Sequence, residues 1–345
     1  MNIALEALKA FQLEGAIEKV APFGSGHIND TYKVESSCGN YLLQKVNTKV
    51  FQNTETLENN LNLLQSLQSN VFAKHITTKN GVCFHLDQAS CWKLQEFVLN
   101  AYGPTTANNL TLVEEVGRGF GMFTQVTSTL DATIFDEAIP NFHSLKWRLE
   151  QLDEAVSLNK VSRVDDSKKL IDQVNAFSWI ADHFNKLVEN GLPLRVCHND
   201  TKIDNILLTE DSDEFRHVID LDTTGPGYVL SDFGDMMRTL LSPTKEAEVN
   251  ESKIEIREGY LNALKSGYLS ACEESLSPLE IENLEFGGLY MTYMQAVRFL
   301  ADYLNGDTYY KISFPEENYV RARNQLTLLR LMHTQIFNHK TDSNW

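Results

Sequence analysis

Two short polar motifs, each bordered by apolar residues of strand type, restrict the folds open to this chain more than any other feature. The first reads HNDTKIDN over residues 198–205, with the spacing HxDxxxxN. The second reads VIDLD over residues 218–222, an apolar run that ends in aspartate. An acidic turn separates short β-type segments between them, so the pattern predicts a β-hairpin with Asp200 and Asn205 at one end and Asp220 at the other.

These residue types at this spacing suit phosphoryl transfer. That reaction needs a carboxylate to orient the attacking hydroxyl and accept its proton, and oxygen ligands to hold Mg²⁺ against the nucleotide phosphates. Asp200 is expected to be the base, with Asn205 and Asp220 as metal ligands through their side-chain oxygens. His198 is expected to hold the loop in shape by hydrogen bonding. The alternative is that these are solvated loop residues, since HxDxxxxN alone also occurs by chance.

The order of the periodic segments predicts a strand-rich first part and a helical second part, with a boundary near residue 100. Strands are expected at 17–22, 31–34, 41–46, 82–86 and 91–99, and a helix capped by Asn53 presents Leu57, Leu61, Leu64 and Leu67 on one face. The segment 100–104, which contains Gly103-Pro104, is the expected linker, so residues 1–100 and 101–345 are expected to form two lobes.

Beyond residue 105 the apolar spacing is mainly helical, interrupted by short strands at 195–197, 206–208 and 217–221. Helices are expected to resume from about Glu246, with long apolar periodicity over 284–304 and 320–336. The composite pattern, sheet first and helices after, predicts an α+β fold.

Charge and composition exclude several classes of protein. The net charge of −17 repels phosphate backbones and anionic lipid, which makes nucleic acid and membrane surfaces unlikely partners. No apolar run reaches the roughly 18 residues of a membrane span, and the first residues resemble an amphipathic helix and not a signal sequence, so a cytoplasmic protein is expected. The five scattered cysteines lack CxxC spacing and predict neither a disulfide framework nor a zinc site.

With these motifs in place, the sequence resembles the aminoglycoside and choline kinase group, relatives of the protein kinases. Further stretches resemble the N-acetylhexosamine 1-kinase branch of that group; they are FGSGHINDTY at 23–32, YLLQKVN at 41–47, IPNFH at 139–143 and RFLADYLNGD at 298–307. The resemblance implies a two-lobed kinase-like fold, use of ATP and Mg²⁺, and transfer of the γ-phosphate to the anomeric hydroxyl of N-acetylglucosamine or N-acetylgalactosamine. It also implies a monomer or weak dimer whose partners are ATP and a small sugar.

The nucleotide is expected to contact the turn that contains Gly24, Ser25 and Gly26, although a plain hairpin turn explains the same residues. Related kinases carry a phosphate-binding lysine on the third strand, paired with a helical glutamate. Here that position is Gln44 or Lys45, which strand alternation puts on opposite faces. Lys45 with Glu58 as its partner is the preferred interpretation; if Gln44 faces inward, other groups must hold the nucleotide.

The remaining site residues follow from the resemblance. Glu96-Phe97-Val98 resembles a hinge whose backbone recognises adenine, with a simple edge strand as the alternative, so Glu96 and Val98 are candidate ATP contacts. His27, Arg298 and Tyr309 are candidate sugar contacts beside Asp200. Arg298 lies among apolar residues of a long helix and could equally form a structural ion pair.

Two other functions remain open at this point. One keeps the fold and changes the acceptor to an aminoglycoside, choline or another amino alcohol. The other is a nucleotide-binding regulator without turnover, against which Asp200, Asn205 and Asp220 argue. Net charge does not separate the acceptors, because an acidic protein suits a cationic acceptor while excess carboxylate is also common on soluble enzymes.

Overall fold

A computed structural model describes residues 2–24, 29–87 and 90–337. The expected α+β architecture is confirmed: an antiparallel sheet occupies the amino-terminal part and helices dominate the rest. The division into lobes at residue 100 stays a prediction. Just after that point, Ala101–Tyr102 (β7) pairs with Thr209 and Leu208 in the carboxyl-terminal part.

The amino-terminal sheet has the strand order β1-β2-β3-β6-β4, and β5 also pairs with β6. All of its strand pairs are antiparallel. The strands are β1 Ile17–Pro22, β2 Asp30–Ser36, β3 Gly39–Val46, β4 His75–Ile76, β5 Phe84–Leu86 and β6 Cys91–Glu96.

One helix covers each face of this sheet. The first helix, α1 (Asn2–Leu8), adds Leu8 to a small core that holds Leu43, Trp92 and Leu94 from one sheet face. The helix α2 (Thr54–Gln65) packs on the other face, where its leucines join Val46 and Cys91 in the main core. The predicted cap is confirmed, since Asn53 accepts hydrogen bonds from the backbone N–H groups of Glu55 and Thr56.

Helices form most of the carboxyl-terminal part. They are α3 Leu110–Thr127, α4 Leu145–Leu158, α5 Val164–Ala176, α6 Trp179–Glu189, α7 Val229–Leu240, α8 Tyr260–Cys272, α9 Pro278–Leu304 and α10 Glu317–Met332. Helix α9 is the central element, buried along most of its length and in contact with α4, α7 and α10. Its start is fixed by a capping box between Ser277 and Glu280.

Short strands interrupt the helices where the two motifs lie. They are β8 Arg195–Cys197, β9 Ile206–Thr209, β10 Phe215–Val218 and β11 Gly225–Gly227. Strands β9 and β10 form the predicted hairpin, and β8 pairs with β11. The first motif therefore runs from β8 to the start of β9, and the second begins at the end of β10.

Two expectations are corrected. Helix resumes earlier than Glu246, at Val229 with α7; residues 243–259 are irregular apart from a short 3₁₀ turn at Glu251–Lys253, and α8 begins at Tyr260. The strand expected over 217–221 ends at Val218, because Asp220 adopts a left-handed conformation with φ of 60° that no strand can accommodate.

Helices α7 and α9 approach closely at a glycine contact. A Cβ atom on Gly234 would lie 2.0 Å from the carbonyl oxygen of Gly287, and one on Gly287 would lie 2.0 Å from that of Leu230. Only hydrogen fits between the two backbones, so the glycines set the distance between α7, which supports the first motif, and α9, which carries Arg298.

Candidate active site

The loop after β8 is shaped by a buried carboxylate on α7. Asp232 accepts hydrogen bonds from the backbone N–H groups of His198 at 2.7 Å and Asn199 at 2.8 Å. Asn199 takes a left-handed conformation, φ 64°, which asparagine tolerates better than most residues. Burial raises the pKa of Asp232 to about 6, although the hydrogen bonds from the loop oppose the rise. Asp232 therefore holds the backbone of this loop in place and is not itself one of the candidate reacting groups.

His198 is fully buried and holds the two motifs together. Its Nε2 lies 2.9 Å from the carbonyl oxygen of Ile219, and its ring makes edge contacts with Phe120 and Phe123 of α3. This hydrogen bond agrees with the structural role expected for His198. The backbone N–H of Ile219 also donates to the carbonyl oxygen of Asn205, at 2.9 Å.

Asp200 and Asn205 are brought into direct contact. Asn205 Nδ2 donates to Asp200 Oδ2 at 2.9 Å and to the Asp200 carbonyl oxygen at 2.8 Å. Lys202 Nζ lies 3.0 Å from the same carboxylate. Burial works to raise the pKa of Asp200, but Lys202 and the hydrogen bond from Asn205 outweigh it and hold that pKa below its usual value. Asp200 is therefore an ionised, oriented carboxylate with 22% of its side chain exposed.

Asp220 lies close enough to this pair for their charges to interact. Burial and the neighbouring carboxylates of Asp222 and Asp200 raise the pKa of Asp220 to about 6, although Lys93 and Lys202 oppose the rise. A divalent cation would relieve this concentration of negative charge. The carboxylate of Asp220 and the amide oxygen of Asn205 are hard oxygen donors of the kind Mg²⁺ prefers, so the donor set fits that ion.

Within the described residues, no group of three or more His, Cys, Asp and Glu side chains is spaced to hold a metal. The candidate pair differs from such a cluster because one of its members is an amide. Magnesium usually takes only one or two carboxylates from the protein and completes its coordination with substrate phosphates and water. Two protein ligands are therefore compatible with a magnesium site formed together with a nucleotide.

The structure does not bring Lys45 and Glu58 together. Lys45 pairs with Trp92 across β3 and β6, and its Nζ lies 5.8 Å from the centre of that ring, on the face covered by α1. Both carboxylate oxygens of Glu58 accept backbone hydrogen bonds, from Cys83 at 2.6 Å and Phe84 at 2.8 Å. The interpretation of these residues as a phosphate-binding pair is corrected on this geometry.

Gln44 and not Lys45 lies on the face directed towards the motifs. Across the β3 and β6 pair it stands opposite Lys93, a residue that the sequence reasoning missed. Lys93 is 2% exposed and forms an ion pair with Asp222, the aspartate two residues after Asp220. The remaining oxygen of Asp222 accepts a hydrogen bond of 2.8 Å from Asn29 Nδ2.

The other expected nucleotide contacts lie at the rim of the sheet. Gly24 is exposed in the turn after β1, with φ of 73° and open space where a Cβ would stand. Ser25, Gly26 and His27 lie outside the described residues. Glu96 is the exposed last residue of β6, its backbone N–H bonded to the carbonyl of Lys74, and Val98 lies between β6 and β7.

Arg298 and Tyr309 lie in one polar and aromatic cluster. The guanidinium of Arg298 is 4.9 Å from the ring centre of Phe142 and 5.7 Å from that of Tyr310. The rings of Tyr309 and Tyr310 make an edge contact at 4.8 Å, and 56% of Tyr309 is exposed. Arg298 donates to Gln295 Oε1 at 3.2 Å, and no carboxylate among the described residues forms an ion pair with it.

The sequence reasoning also missed Arg148, which is 7% exposed. It donates to Gln151 Oε1 at 3.1 Å and to the Phe142 carbonyl oxygen at 3.0 Å, and its Nε has no hydrogen-bond partner in the described part of the chain. Burial and, to a smaller extent, the charge of nearby Arg298 together lower the pKa of Arg148 to about 10. Two arginine charges, balanced by amide and carbonyl oxygens alone, therefore lie together here.

A cavity of about 30 Å³ is lined by residues of this cluster and of the first motif. Its lining includes Phe142, His143, Asn199 and Thr223. That volume holds one or two water molecules, not a sugar ring.

Among the described residues, no helix combines the length and apolar character that a membrane crossing requires.

Both the sequence and the fold of this chain are similar to those of known phosphotransferases. The sequence model of a family described as the phosphotransferase enzyme family matches residues 19–272, well over half of the chain. The fold is similar to that of a microcompartment-associated aminopropanol kinase, with 15% identity, a TM-score of 0.63 and coverage of 98% of each chain.

Two further solved structures share the fold. An aminoglycoside phosphotransferase from Alicyclobacillus acidocaldarius matches with 15% identity and a TM-score of 0.64, over 97% of this chain and 96% of that one. A spectinomycin phosphotransferase, in complex with ADP and spectinomycin, matches with 13% identity and a TM-score of 0.57, over 96% of this chain and 98% of that one. At these identities the likeness concerns the fold.

Proposed function

This chain belongs to the phosphotransferase enzyme family, and we propose that it is an ATP-dependent kinase that phosphorylates the anomeric C1 hydroxyl of N-acetylglucosamine or N-acetylgalactosamine. The observation that carries the proposal is the contact between Asp200 and Asn205 at 2.9 Å, with Asp220 close enough to raise the local negative charge. A base, an amide oxygen and a second carboxylate are the groups that phosphoryl transfer from ATP requires.

In the proposed reaction, Asp200 orients the C1 hydroxyl and accepts its proton. The hydroxyl oxygen forms a bond to the γ-phosphorus while the bond from that phosphorus to the β-phosphate oxygen breaks, which gives the sugar 1-phosphate and ADP. The lowered pKa of Asp200 keeps it ionised at neutral pH, as this role requires. A hemiacetal hydroxyl is more acidic than other sugar hydroxyls, so a carboxylate of modest basicity is sufficient.

Asn205 and Asp220 would hold Mg²⁺ in this scheme. The ion, when bound, supplies positive charge to the phosphate oxygens. The residues of the chain do the rest: Asn205 also fixes the rotamer of Asp200, and Lys202 keeps that carboxylate ionised.

The charge around Arg298 supports an uncharged, oxygen-rich acceptor. Arg148 and Arg298 lie together without a carboxylate partner in the described structure, and a cationic acceptor would add to their repulsion. Guanidinium groups instead donate hydrogen bonds to carbonyl and hydroxyl oxygens, which the acetamido group and ring of an N-acetylhexosamine provide.

A cationic amino alcohol is the second candidate acceptor. The fold shared with the aminopropanol kinase supports it, and aromatic rings such as Phe142 and Tyr310 can bind a cation. Here those rings already face the guanidinium of Arg298, so an external cation would have to displace it.

The test measures ADP release with ATP, Mg²⁺ and a panel of N-acetylhexosamines, aminoglycosides and amino alcohols. We expect turnover with the N-acetylhexosamines and a sugar 1-phosphate as product. Asp200→Asn should lower kcat by about 10² to 10⁴ while ATP binding stays nearly intact, because it removes the proton acceptor only. Turnover restricted to amino alcohols would overturn the acceptor assignment, and full activity of D200N would remove Asp200 from its role.

A further inference from the structure

A buried lysine on the motif-facing side of the sheet comes from β6, and not from β3. Lys93 stands directly opposite Gln44 across the β3 and β6 pair, so both side chains lie on the same face. The neighbouring pair, Lys45 with Trp92, points to the opposite face and the small core under α1. The positive charge that was expected on β3 is therefore supplied by Lys93 on β6, the strand that pairs with β3.

The ion pair of Lys93 joins the sheet to the second motif. Lys93 and Asp222 are 129 positions apart in sequence, and their side chains are only 3% and 4% exposed. Asp222 follows Asp220 by two residues, and its other oxygen is bonded to Asn29, at the end of the turn between β1 and β2. The ammonium group thus shares the carboxylate of Asp222 with Asn29, two residues along the chain from the candidate magnesium ligand Asp220.

The chemistry of this ion pair favours a ligand as well as a structural role. Burying an ammonium and a carboxylate costs solvation free energy, and packed apolar residues would be at least as stabilising. A lysine ammonium can donate three hydrogen bonds, and among the described residues only Asp222 accepts one from Lys93. Donors therefore remain for an anionic ligand next to Asp220.

We propose that Lys93 binds the α- and β-phosphates of ATP, with Asp222 as the carboxylate that orients its ammonium group. The inference rests on the proposed use of ATP. It assigns to Lys93 on β6 the phosphate-binding role that was expected of Lys45 on β3. Lys93 and Asp222 then act as a pair contributed by two parts of the chain, so the phosphate-binding charge is in place only when the sheet and the second motif are docked together.

The first experiment compares ADP with adenosine by calorimetry on Lys93→Met. Loss of the ammonium should weaken ADP binding by about 10- to 100-fold and leave adenosine binding unchanged, because only ADP carries phosphates. Lys45→Met is the matched control, a lysine removed from the other face of the same sheet, and should bind both ligands as the parent does. Equal losses for ADP and adenosine in K93M would reduce Lys93 to a structural ion pair and overturn the proposal.

A second variant covers the case in which K93M does not fold. The double variant Gln44→Lys with Lys93→Gln moves the ammonium to the facing position on β3, where it can still reach Asp222. It should keep most of the preference for ADP over adenosine, whereas K93Q alone should lose it. A Q44K/K93Q protein that is folded by circular dichroism and binds ADP no better than K93Q contradicts the inference.

The two proposals fail in distinguishable ways. If the parent protein binds neither ATP nor ADP and releases no ADP with any acceptor, the kinase proposal itself is wrong. If the parent binds ADP and K93M binds it equally well, the kinase proposal stands and Lys93 has no part in it.

Discussion

At the scale of single residues, His143 is held neutral among arginines. Burial, together with the charges of Arg298, Arg148 and Arg238, lowers its pKa to about 3, although Asp200 has the opposite effect. The Nδ1 atom has no hydrogen-bond partner in the described structure, and the ring stacks on Phe142 at 4.6 Å. Protonation would add a fourth positive charge to this side of the site.

This predicts a specific pH dependence of stability. Unfolded His143 takes up a proton near pH 6.5 and the folded form does not until about pH 3, so stability is lost as the pH falls between these values. His143→Gln should remove this contribution and flatten the curve of unfolding free energy against pH by up to about 1.4 kcal/mol per pH unit. Urea unfolding from pH 4.5 to 8 measures it.

The comparison at pH 8 supplies the control, because the histidine is neutral there in both states. Any difference at that pH reports packing alone and is subtracted. Parallel curves for the parent and H143Q over the whole range would show that this histidine titrates alike in the folded and unfolded chain.

Residues of the two motifs could be predicted from sequence because their spacing is local. Asp200 and Asn205 share one loop, so their contact follows from a turn of a few residues. Lys93 and Asp222 meet only through the register of β3 with β6 and the docking of the sheet, which no local pattern encodes. The choice between Gln44 and Lys45 failed for the same reason, since alternation separates two faces without saying which one is inward.

At the scale of elements, the turn after α9 is built around one carboxylate. Asp302 accepts backbone hydrogen bonds from Thr308 at 2.9 Å, Tyr309 at 2.8 Å and Tyr310 at 3.0 Å, and a further bond of 2.9 Å from the side chain of Asn318. It is 6% exposed. Asp302 therefore positions both tyrosines beside Arg298 without contacting that arginine itself.

Asp302→Asn should loosen this turn, because an amide group then faces backbone N–H donors. We expect KM for the acceptor to rise by about 10- to 100-fold while KM for ATP stays unchanged. Asp172→Asn, on the exposed face of α5, is the matched control. If both KM values rise together in D302N, or neither does, the turn has no selective part in acceptor recognition.

Secondary structure was predictable where apolar periodicity is long and a cap is present, as in α2 with Asn53 and in α9. It was not predictable over residues 243–259, where a stretch rich in charged residues, expected to be helical, forms an irregular segment held by contacts elsewhere. Arg257 donates to the carbonyl oxygens of Ala107 and Leu240 there, and these interactions connect residues far apart in sequence. Tertiary hydrogen bonds of this kind override local preference.

At the scale of the whole molecule, Asn60 links α2 to the carboxyl-terminal part. Its Nδ2 donates to the carbonyl oxygens of Asp136 at 2.8 Å and Thr224 at 2.9 Å, and its Oδ1 accepts from the Asp136 N–H at 3.3 Å. Asn60 is 3% exposed. Three hydrogen bonds of one side-chain amide thus connect α2, which packs on the amino-terminal sheet, to Asp136 before the first motif and Thr224 after it.

Asn60→Ala should lower the free energy of unfolding by about 1 to 3 kcal/mol, because it leaves buried backbone groups without partners. Asn59→Ala is the control, an exposed asparagine of the same helix, and should change stability by no more than about 0.5 kcal/mol. Chemical denaturation of both variants makes the measurement. Equal stabilities would mean that this amide adds nothing to the docking of the two parts.

Helix α9 runs unbroken for 27 residues, roughly 40 Å; its close contact with α7 lies at Gly287 in the first half, and the turn that bears both tyrosines follows its end. The residues assigned to phosphoryl transfer belong to other elements, so residues at the carboxyl-terminal end of α9 can be substituted without disturbing them. Evolution of this fold towards new acceptors would then need substitutions only in the turn after α9 and the segment that follows it. The residues assigned to phosphoryl transfer would stay unchanged.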